Sequence, residues 1–379
     1  MRHTPETPIM TNDRSESSAP RQTSRRGFLG AAMGATLAPM ILHATDKAGS
    51  QPAMVGSGEH QYECVHNWGQ LPDHIRWGFT HGVAVDAEGL IYIKHQSKRL
   101  LAMDAIAVFD SDGKFVRSFG KEYHGGGHGI DLRKEGDQEF LYLSDIKHRQ
   151  VVKTTLAGKV VWKLDYPREP EVYQRKQQFS PTNVAFAPDG GFYVADGYGS
   201  SYVHQYDADA NWVRTFGGKG EKKERFGGGP GSEPGKLATP HGLWLDDRPG
   251  RQPSLIVADR GNMRMQYFTL DGKHLSFIED MAFPADIDIR GSDMLLPELF
   301  ARLSIYDADN QVITRLGHDP DWTWQVINPK AKVRINTQPD KWPNGRFVHP
   351  HDACFDAEGN IFVVELLSVG RVSFLRRVS

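Results

Sequence analysis

The stretch HGVAVD at residues 81–86, followed by EG at 88–89, decides the fold because its pattern returns along the chain. Each copy opens on a histidine or a small residue and continues with alternating apolar residues. The further copies are HGIDL at 128–132, NVAF at 183–186, HGLWLD at 241–246, ADIDI at 285–289 and HDACFD at 351–356. Alternation with period two predicts strands, and self-similarity at a regular spacing predicts a repeat protein.

Hairpin signals follow most of these copies. The sequence DGK stands at 112–114 and again at 271–273, with looser versions at 209–211 and 307–309. Turns of this composition join antiparallel strands. Six such units of four strands predict an all-β, six-bladed propeller over residues 45–379. The last unit has room for three strands, so we expect the N-terminal strand at 62–68 to complete the last blade and close the ring.

Composition excludes several classes of function. The chain has 379 residues and a formal net charge of -2, so it lacks the basic surplus of a nucleic-acid-binding protein. Cys64 and Cys354 are predicted to lie three strands apart in the closing blade, about 14 Å. A disulfide needs Cα atoms within about 7 Å, so we predict no bridge.

Residues 1–44 are predicted to be an export segment. Arg25 and Arg26 directly precede an apolar, Gly- and Ala-rich run that extends to Leu42. This is typical of a twin-arginine signal, which predicts a periplasmic or secreted protein. The run is short for a membrane span, so we expect no transmembrane segment in the mature chain. A chance pair of arginines and an uncleaved N-terminal anchor are the alternatives.

Histidines recur at one position of the repeat. In a propeller the first strands of the blades surround the channel, so equivalent positions form a ring. That ring consists of His81, His128, Thr182 or Asn183, His241, Ala285 and His351. Converging neutral imidazoles are ligands for Zn²⁺ or another divalent metal, which we predict here. The alternative is that the imidazoles only fill the channel. We also allow for a structural Ca²⁺.

A second ring follows at the end of each second strand. Its members are His95, Asp145, Asp196, Asp259, Glu298 and Glu365, and we expect most of these acids to accept backbone N–H bonds. Just beyond two of them lie Tyr198, a candidate acid or base, and Arg264, a candidate for gripping a substrate carboxylate.

Two long loops interrupt the repeats. The Gly- and Lys-rich segment 217–238 opens no helix, so we interpret it as a connector between blades rather than a phosphate site. The segment 317–348 carries Trp322, Trp324 and Trp342 directly before HPH at 349–351. Long loops at a channel mouth often act as lids, and this insertion is a candidate lid. Packing on the side of a blade is the alternative.

In these motifs the chain resembles NHL-repeat propellers, and among them the peptidyl-hydroxyglycine amidating lyases. The resemblance implies a six-bladed propeller with a catalytic zinc on three histidines, here His128, His241 and His351. The family tyrosine motif is similar to ADGY at 195–198, and its arginine motif is similar to DRGNMR at 259–264. The order of the motifs is kept across nearly all of the mature chain.

The chain departs from that family at three positions. Gln96 follows His95 where the family has a catalytic arginine, and only Lys98 and Arg99 lie nearby. His81 occupies a position where the family lacks a histidine. His349 replaces a family methionine, and His81 and His349 are therefore additional candidate ligands.

The resemblance implies an exported, metal-dependent lyase that cleaves the C–N bond of a peptidyl-hydroxyglycine-like α-hydroxyamide. Tyr198 would then act as the base and Arg264 would orient the carboxylate of a small-molecule or peptide substrate. Two alternatives stay open at this point: another metal-dependent hydrolase or lactonase on the same scaffold, and a non-catalytic binding propeller.

Overall fold

The computed structural model describes residues 52–97, 101–220 and 233–378, which form 25 strands in six antiparallel sheets. This confirms the all-β, six-bladed propeller. The described chain begins with β1 (Ala53–Ser57) and β2 (His60–His66). Blade one consists of β3 (Phe79–Val85), β4 (Ile91–Gln96), β5 (Ile106–Phe109) and β6 (Phe115–Phe119). Blade two consists of β7 (Gly127–Glu135), β8 (Gln138–Asp145), β9 (Gln150–Thr155) and β10 (Val160–Leu164).

The remaining blades follow in chain order. Blade three consists of β11 (Asn183–Phe186), β12 (Phe192–Ala195), β13 (Tyr202–Tyr206) and β14 (Trp212–Gly217). Blade four consists of β15 (Pro240–Asp246), β16 (Ser254–Asp259), β17 (Arg264–Phe268) and β18 (His274–Ile278). Blade five consists of β19 (Asp288–Arg290), β20 (Asp293–Glu298), β21 (Arg302–Tyr306) and β22 (Val312–Leu316). Blade six contains β23 (Pro350–Phe355), β24 (Ile361–Glu365) and β25 (Arg371–Arg377).

Strands from both ends of the described chain share the sixth blade. The order of its strands is β1-β2-β25-β24-β23, and Tyr62 of β2 lies opposite Arg377 of β25. The sequence pattern predicted four strands here, but β1 adds a fifth on the outside, where Ala53 lies opposite Cys64. The extra strand covers the edge of β2, and its Val55 is buried in the core of blades five and six.

Alternating side chains explain how the sheets stack into a ring. In β8, Leu141 and Leu143 lie in the core shared with blade one, whereas Tyr142 lies in the core shared with blade three. Successive residues of a strand face opposite sides of the sheet, so a strand buried on both faces can bind two neighbouring blades. The hydrophobic core is therefore a set of layers between the blades.

The acidic turn of the repeat caps the hairpin between the first two strands. In blade one, Asp86 Oδ1 accepts hydrogen bonds from Glu88 N at 3.0 Å and Leu90 N at 2.8 Å. Gly89 has φ 81°, a left-handed conformation that disfavours residues with a Cβ atom. This local chemistry fixes where β3 ends and β4 begins.

The insertion at 317–348 contains the one α-helix among the described residues, α1 (Pro320–Ile327). Asp319 caps its N-terminus by accepting from Asp321 N and Trp322 N, and Trp322 Nε1 donates to Phe347 O at 2.6 Å. Short 3-10 turns occur here and elsewhere at Lys121–Tyr123, Lys176–Gln178, Arg260–Asn262, Ile335–Thr337 and Pro339–Lys341.

The structure also bears on the predictions about the two cysteines and about membrane-spanning segments. Cys64 and Cys354 are free cysteines, as their predicted placement in the blade requires. None of the helices in the described ranges is long and apolar enough to cross a membrane. The predicted export segment 1–44 lies outside the described residues.

Candidate functional site

A bulge in the first strand aims the inner histidines into the channel. The pairing between first and second strands shifts register between Thr80 and Gly82 in blade one, and between Pro350 and Asp352 in blade six. The same shift brackets His128 in blade two and His241 in blade four. A bulge places an extra residue against its partner strand and turns its side chain. Each histidine of the repeat motif therefore stands in the bulge that orients its side chain.

Three of the imidazoles are oriented in the same way. His128 Nδ1 lies 2.7 Å from Thr182 O, His241 Nδ1 lies 2.6 Å from Ala285 O, and His351 Nδ1 lies 2.7 Å from His81 O. Blades two, four and six thus supply the imidazoles, and blades three, five and one supply the carbonyls. Because a carbonyl oxygen only accepts, each Nδ1 must carry the proton and each Nε2 a lone pair.

The free nitrogens converge on one point. His128 Nε2 lies 3.2 Å from His241 Nε2, and both lie close to Tyr198 Oη, at 3.2 Å and 3.1 Å. The tyrosine can donate its proton to only one of them. With both Nδ1 atoms protonated, the two Nε2 atoms have no proton to share, so their lone pairs face each other. A cation between them would remove that repulsion.

His351 and His81 complete the cluster. The ring centroid of His351 lies 4.7 Å from that of His241 and 5.0 Å from that of His128. The ligand atoms of His81, His128 and His351 all lie within 4.8 Å of one another. In the described part of the chain, His351 Nε2 and both ring nitrogens of His81 are buried without a hydrogen-bond partner.

Burial keeps all four imidazoles neutral. Loss of solvent lowers the pKa of His81, His128 and His241 well below the ordinary value and lowers that of His351 to about 3. The positive charge of Arg260 adds to this effect at each of the four rings. A neutral imidazole is the form that binds a metal ion.

Tyr198 reaches the cluster from the loop between β12 and β13. Its backbone N donates to Ser180 O at 3.2 Å, and its side chain is 39% exposed, so one side faces solvent. Arg260 Nη2 donates to Tyr198 Oη at 3.0 Å. The structure thus brings Tyr198 together with the predicted ligands His128, His241 and His351.

The arginine at the cluster is Arg260, not Arg264. The guanidinium of Arg260 lies over the rings of Tyr198 and Phe283, and its Nε and Nη1 are buried without hydrogen-bond partners among the described residues. Arg264 instead pairs with Asp259, with Nε 2.7 Å from Oδ2, and lies over Phe277. The guanidinium of Arg264 thus already neutralises a buried acid, and its contact with a substrate stays a prediction.

A repeated pairing of an acid with an arginine could have indicated in advance that Arg264 has a structural role. The acid that ends the second strand lies opposite an arginine that begins the third strand in blades four, five and six. The pairs are Asp259 with Arg264, Glu298 with Arg302, and Glu365 with Arg371. The same cross-strand pairing in three units indicates a structural role, whereas Arg260 has no counterpart in this pairing.

The second ring ties the backbone that enters five of the six blades to the second strand of the same blade, and most of its acids accept backbone N–H bonds as expected. Its side chains accept hydrogen bonds from the backbone that enters the first strand. The pairs are Gly78 N to His95, Ser180 N to Asp196, Ala238 N to Asp259, Ala282 N to Glu298 and Val348 N to Glu365. Asp145 accepts from Lys147 N and His148 N instead.

His349 and Gln96 lie outside the cluster. His349 Nδ1 is 2.8 Å from Leu299 O, and its Nε2 is 3.5 Å from Asn336 Nδ2 of the insertion. Gln96 donates to Gly125 O at 2.9 Å. Lys98 and Arg99 lie outside the described residues.

The insertion packs on turns of blades five and six. Trp322, Val326 and Ile335 are buried with Ala301 and Leu367, which follow the second strands of those blades. These turns lie on the same face of the propeller as Tyr198 and Arg260. The insertion thus borders the channel mouth while its apolar side chains rest on the blades; closure over the mouth stays a prediction.

Beyond the histidines the channel is acidic. A cavity of about 140 Å³ is lined in part by Asp131, Asp286, Asp288 and Asp352. Burial raises the pKa of Asp288 and of Asp352 to about 7. Within the described ranges, the one group of three ligand atoms that all lie within 4.8 Å of one another comes from His81, His128 and His351 and includes none of these acids. The structural Ca²⁺ therefore stays a prediction. His241 is not in that group, but its Nε2 lies 3.2 Å from His128 Nε2, and this direct contact places it at the cluster.

Comparisons with known proteins confirm the resemblance seen in the motifs. No protein-family model matches the chain. It is 27% identical over 214 residues to a probable peptidyl-alpha-hydroxyglycine alpha-amidating lyase of Caenorhabditis elegans, covering 51% of this chain and 56% of the relative. It is 27% identical over 337 residues to peptidyl-alpha-hydroxyglycine alpha-amidating lyase 1 of Drosophila melanogaster, covering 80% of this chain and 58% of the relative.

A relative without an activity in its name matches at the same level. NHL repeat-containing protein 3 of Homo sapiens is 27% identical over 216 residues, covering 55% of this chain and 57% of the relative. The chain thus spans little more than half the length of each of these three relatives. Sequence identity supports an NHL-repeat propeller related to lyases, and the choice of activity depends on the site.

Solved structures share the fold. A virginiamycin B lyase from Staphylococcus aureus, solved as an inactive variant with quinupristin, superposes with a TM-score of 0.52 at 12% identity. The match covers 83% of this chain and 100% of that chain. At this identity the likeness establishes the propeller alone.

Proposed function

We propose that this chain is an exported, metal-dependent lyase that cleaves the C–N bond of an α-hydroxyamide of the peptidyl-hydroxyglycine type. One observation carries the proposal: three imidazoles with protonated Nδ1 atoms gather beside a tyrosine and an arginine at a channel mouth. The 3.2 Å between His128 Nε2 and His241 Nε2 is the central distance.

The donor set fits a divalent ion such as Zn²⁺. Two nitrogens bound to one tetrahedral zinc at about 2.0–2.1 Å lie about 3.3 Å apart, close to the separation of these two Nε2 atoms. Each Nδ1 is fixed by a carbonyl, which is the usual orientation of a ligating histidine. We therefore assign His128, His241 and His351 as the ligands. When bound, such an ion would polarise a substrate oxygen.

Tyr198 is the candidate acid and base. Its Oη lies within 3.2 Å of both Nε2 atoms, next to the point where a substrate hydroxyl would reach the cluster. A proton acceptor must lie within hydrogen-bond reach of the proton it removes, and this placement meets that condition. Arg260 donates to the same oxygen and sets a positive charge beside it.

Arg260 also offers a site for a carboxylate. Its Nε and Nη1 are buried and have no hydrogen-bond partner in the part of the chain that the structure describes, and the residue is only 6% exposed. A buried guanidinium edge of this kind favours a planar anion that accepts two parallel hydrogen bonds. The carboxylate of a hydroxyglycine terminus has that shape, so we transfer to Arg260 the role first predicted for Arg264.

The reaction balances with these groups alone. The hydroxyl of the substrate loses its proton towards Tyr198, and the carbon–oxygen double bond forms as the C–N bond breaks. The electron pair of that bond goes to nitrogen, which takes up a proton. The products are a primary amide and a 2-oxo acid aldehyde, glyoxylate for the hydroxyglycine type.

Product analysis tests the proposal directly. The purified, zinc-loaded protein is incubated with N-benzoyl-α-hydroxyglycine, and benzamide and glyoxylate are measured. Equal amounts of both, above the rate of spontaneous breakdown and lost in Tyr198→Phe, would support the lyase. Benzoate in place of benzamide would identify an amide hydrolase, and no turnover of metal-loaded protein would contradict an α-hydroxyamide substrate.

Export rests on the arginine pair before the apolar run. We propose that residues 1–44 direct the chain through the twin-arginine pathway to the periplasm or the exterior. Arg25→Lys combined with Arg26→Lys is expected to leave the protein inside the cell. Unchanged export of the double variant would contradict this route, and the mass of the exported protein would locate any cleavage.

A further inference from the structure

His81 is the one inner imidazole that no backbone group orients. Both of its ring nitrogens are buried and lack a hydrogen-bond partner within the described ranges. Its ring centroid lies 4.6 Å from that of His351 and 4.9 Å from that of His128. A buried imidazole left without a hydrogen-bond partner is destabilising, and a bound group would remove that cost.

The ring of blades does not require an imidazole at this position. Blades one, three and five supply a backbone carbonyl to the histidine of the preceding blade, and any residue can do this. The equivalent residues in blades three and five are Thr182 and Ala285. Thr182 Oγ1 turns away to Pro240 O at 3.0 Å, and Ala285 has only a methyl group. The side chain of His81 is therefore additional to the alternating pattern.

We propose that His81 is a fourth imidazole ligand of the ion, held in place by that ion alone. This inference rests on the proposed function, since it needs an ion at His128, His241 and His351. Its geometric support is the group of ligand atoms from His81, His128 and His351 within 4.8 Å. The unpartnered nitrogens of His81 are a second, independent observation.

A fourth imidazole changes how a substrate reaches the ion. Four nitrogens already complete a tetrahedral zinc, whereas catalytic zinc sites usually keep one position open. A substrate oxygen must then enter through a fifth position or replace one imidazole. With an ion bound, His81 would be the ligand most readily displaced, because the other three rings are also fixed by their Nδ1–H bonds. His81 is therefore the ligand with the smallest contribution to affinity.

Counting imidazoles tests the inference without using activity. Zinc K-edge X-ray absorption of the zinc-loaded protein reports the number of bound imidazoles. We expect four in the unaltered protein, three in His81→Ala, and four in His349→Ala, which removes a half-buried histidine of the same face. Zinc affinity, measured by competition with a chelator, should fall at least ten-fold less in His81→Ala than in His241→Ala.

Folding should survive the substitution, because Ala285 already occupies the equivalent bulge in blade five. The metal-free His81→Ala protein is expected to be at least as stable to heat as the metal-free parent. A count of three that stays three in His81→Ala would overturn the inference and leave the three-histidine site intact. An affinity loss equal to that of His241→Ala would overturn the claim that His81 is the weakest ligand. A parent protein that binds no zinc would remove both this inference and the proposed metal centre.

Discussion

The two halves of the central channel contain buried ionisable side chains with opposite chemistry. At the mouth, the imidazoles of His81, His128, His241 and His351 have lowered pKa values. Further along the first strands, the carboxyls of Asp131, Asp286, Asp288 and Asp352 have raised pKa values. Burial is the largest cause in both halves, because a low-dielectric surrounding favours the neutral form.

The same cause gives two different capabilities. A neutral imidazole keeps a lone pair and becomes a metal ligand, whereas a neutral carboxyl keeps its proton and loses strength as a ligand. The acidic half is also occupied with structural bonds: Asp352 accepts from Val83 N at 2.8 Å, and Asn183 donates to Asp286 at 2.6 Å. Burial thus keeps the imidazoles at the mouth available as metal ligands, while it keeps the carboxyls further along the channel protonated and poorly suited to binding an ion.

Removal of an oriented imidazole should have the largest effect. His241→Ala deletes a ring that a carbonyl holds at 2.6 Å, so we expect loss of stoichiometric zinc and of lyase activity. Plasma mass spectrometry gives the zinc content. Asp286→Asn in the acidic half serves as the matched control and should keep its zinc. Equal loss of zinc in both variants would mean that the two halves do not differ as described.

The next largest effect is expected from removing the candidate base, the hydroxyl of Tyr198, which should change proton transfer and not metal binding. Tyr198→Phe removes the hydroxyl between the two Nε2 atoms, and we expect kcat to fall by roughly 10²–10⁴-fold. Zinc content should stay at the parental level. If zinc is lost together with activity, the tyrosine oxygen acts mainly as a ligand, and the assignment as base is wrong.

Substitutions of the two arginines in the motif at 259–264 should have different effects, one on substrate binding and the other on the stability of the fold. Arg260→Ala removes the free guanidinium edge and should raise KM about 10–100-fold, the equivalent of one or two charge-assisted hydrogen bonds. Arg264→Ala leaves buried Asp259 unpaired and should lower the free energy of unfolding by about 3 kcal/mol. Steady-state kinetics and urea denaturation distinguish these outcomes. A larger KM effect in Arg264→Ala would restore the original prediction.

The smallest effect is a difference in pH dependence between the halves. The folded pKa of Asp352 is about 7 against an ordinary 3.8, so the folded state binds more protons between these values and stability falls as pH rises. The folded pKa of His351 is about 3 against 6.5, so that group makes stability rise between these values and opposes the effect of Asp352 where the two ranges overlap. Asp352→Asn should stabilise the metal-free protein at pH 8 by about 1–3 kcal/mol.

Denaturation at several pH values measures both slopes. In the metal-free state, His351→Ala should weaken the rise between pH 3 and 6.5 and leave the fall towards pH 7. Identical pH profiles for Asp352→Asn and the parent protein would show that this carboxyl is not responsible.

Much of the molecule followed from the repeats in the sequence. The repeated histidine position fixed the first strands, and the missing fourth strand of the last unit indicated ring closure through residues 62–68. The pattern did not include β1, because its five residues have no counterpart in the other units. A strand that only covers an edge leaves no periodic signal.

The site was less predictable than the fold. The ring position identified the four inner histidines, but their differing roles depend on which blades donate a carbonyl. That alternation arises from contacts between blades, which no single repeat encodes. Arg260 and Arg264 likewise stand four residues apart in one motif, and only the pairing of β16 with β17 decides which guanidinium stays free.

Closure of the ring has a consequence for the time at which the site can form. β25 lies between β24 and β2, so the last described strand of the chain completes a sheet begun near residue 60. The three oriented imidazoles come from alternate blades, and His351 is synthesised after the other two. A growing chain therefore cannot assemble the full ligand set until the sixth blade exists. An ion bound afterwards would link blades two, four and six across the axis and slow the opening of the finished ring.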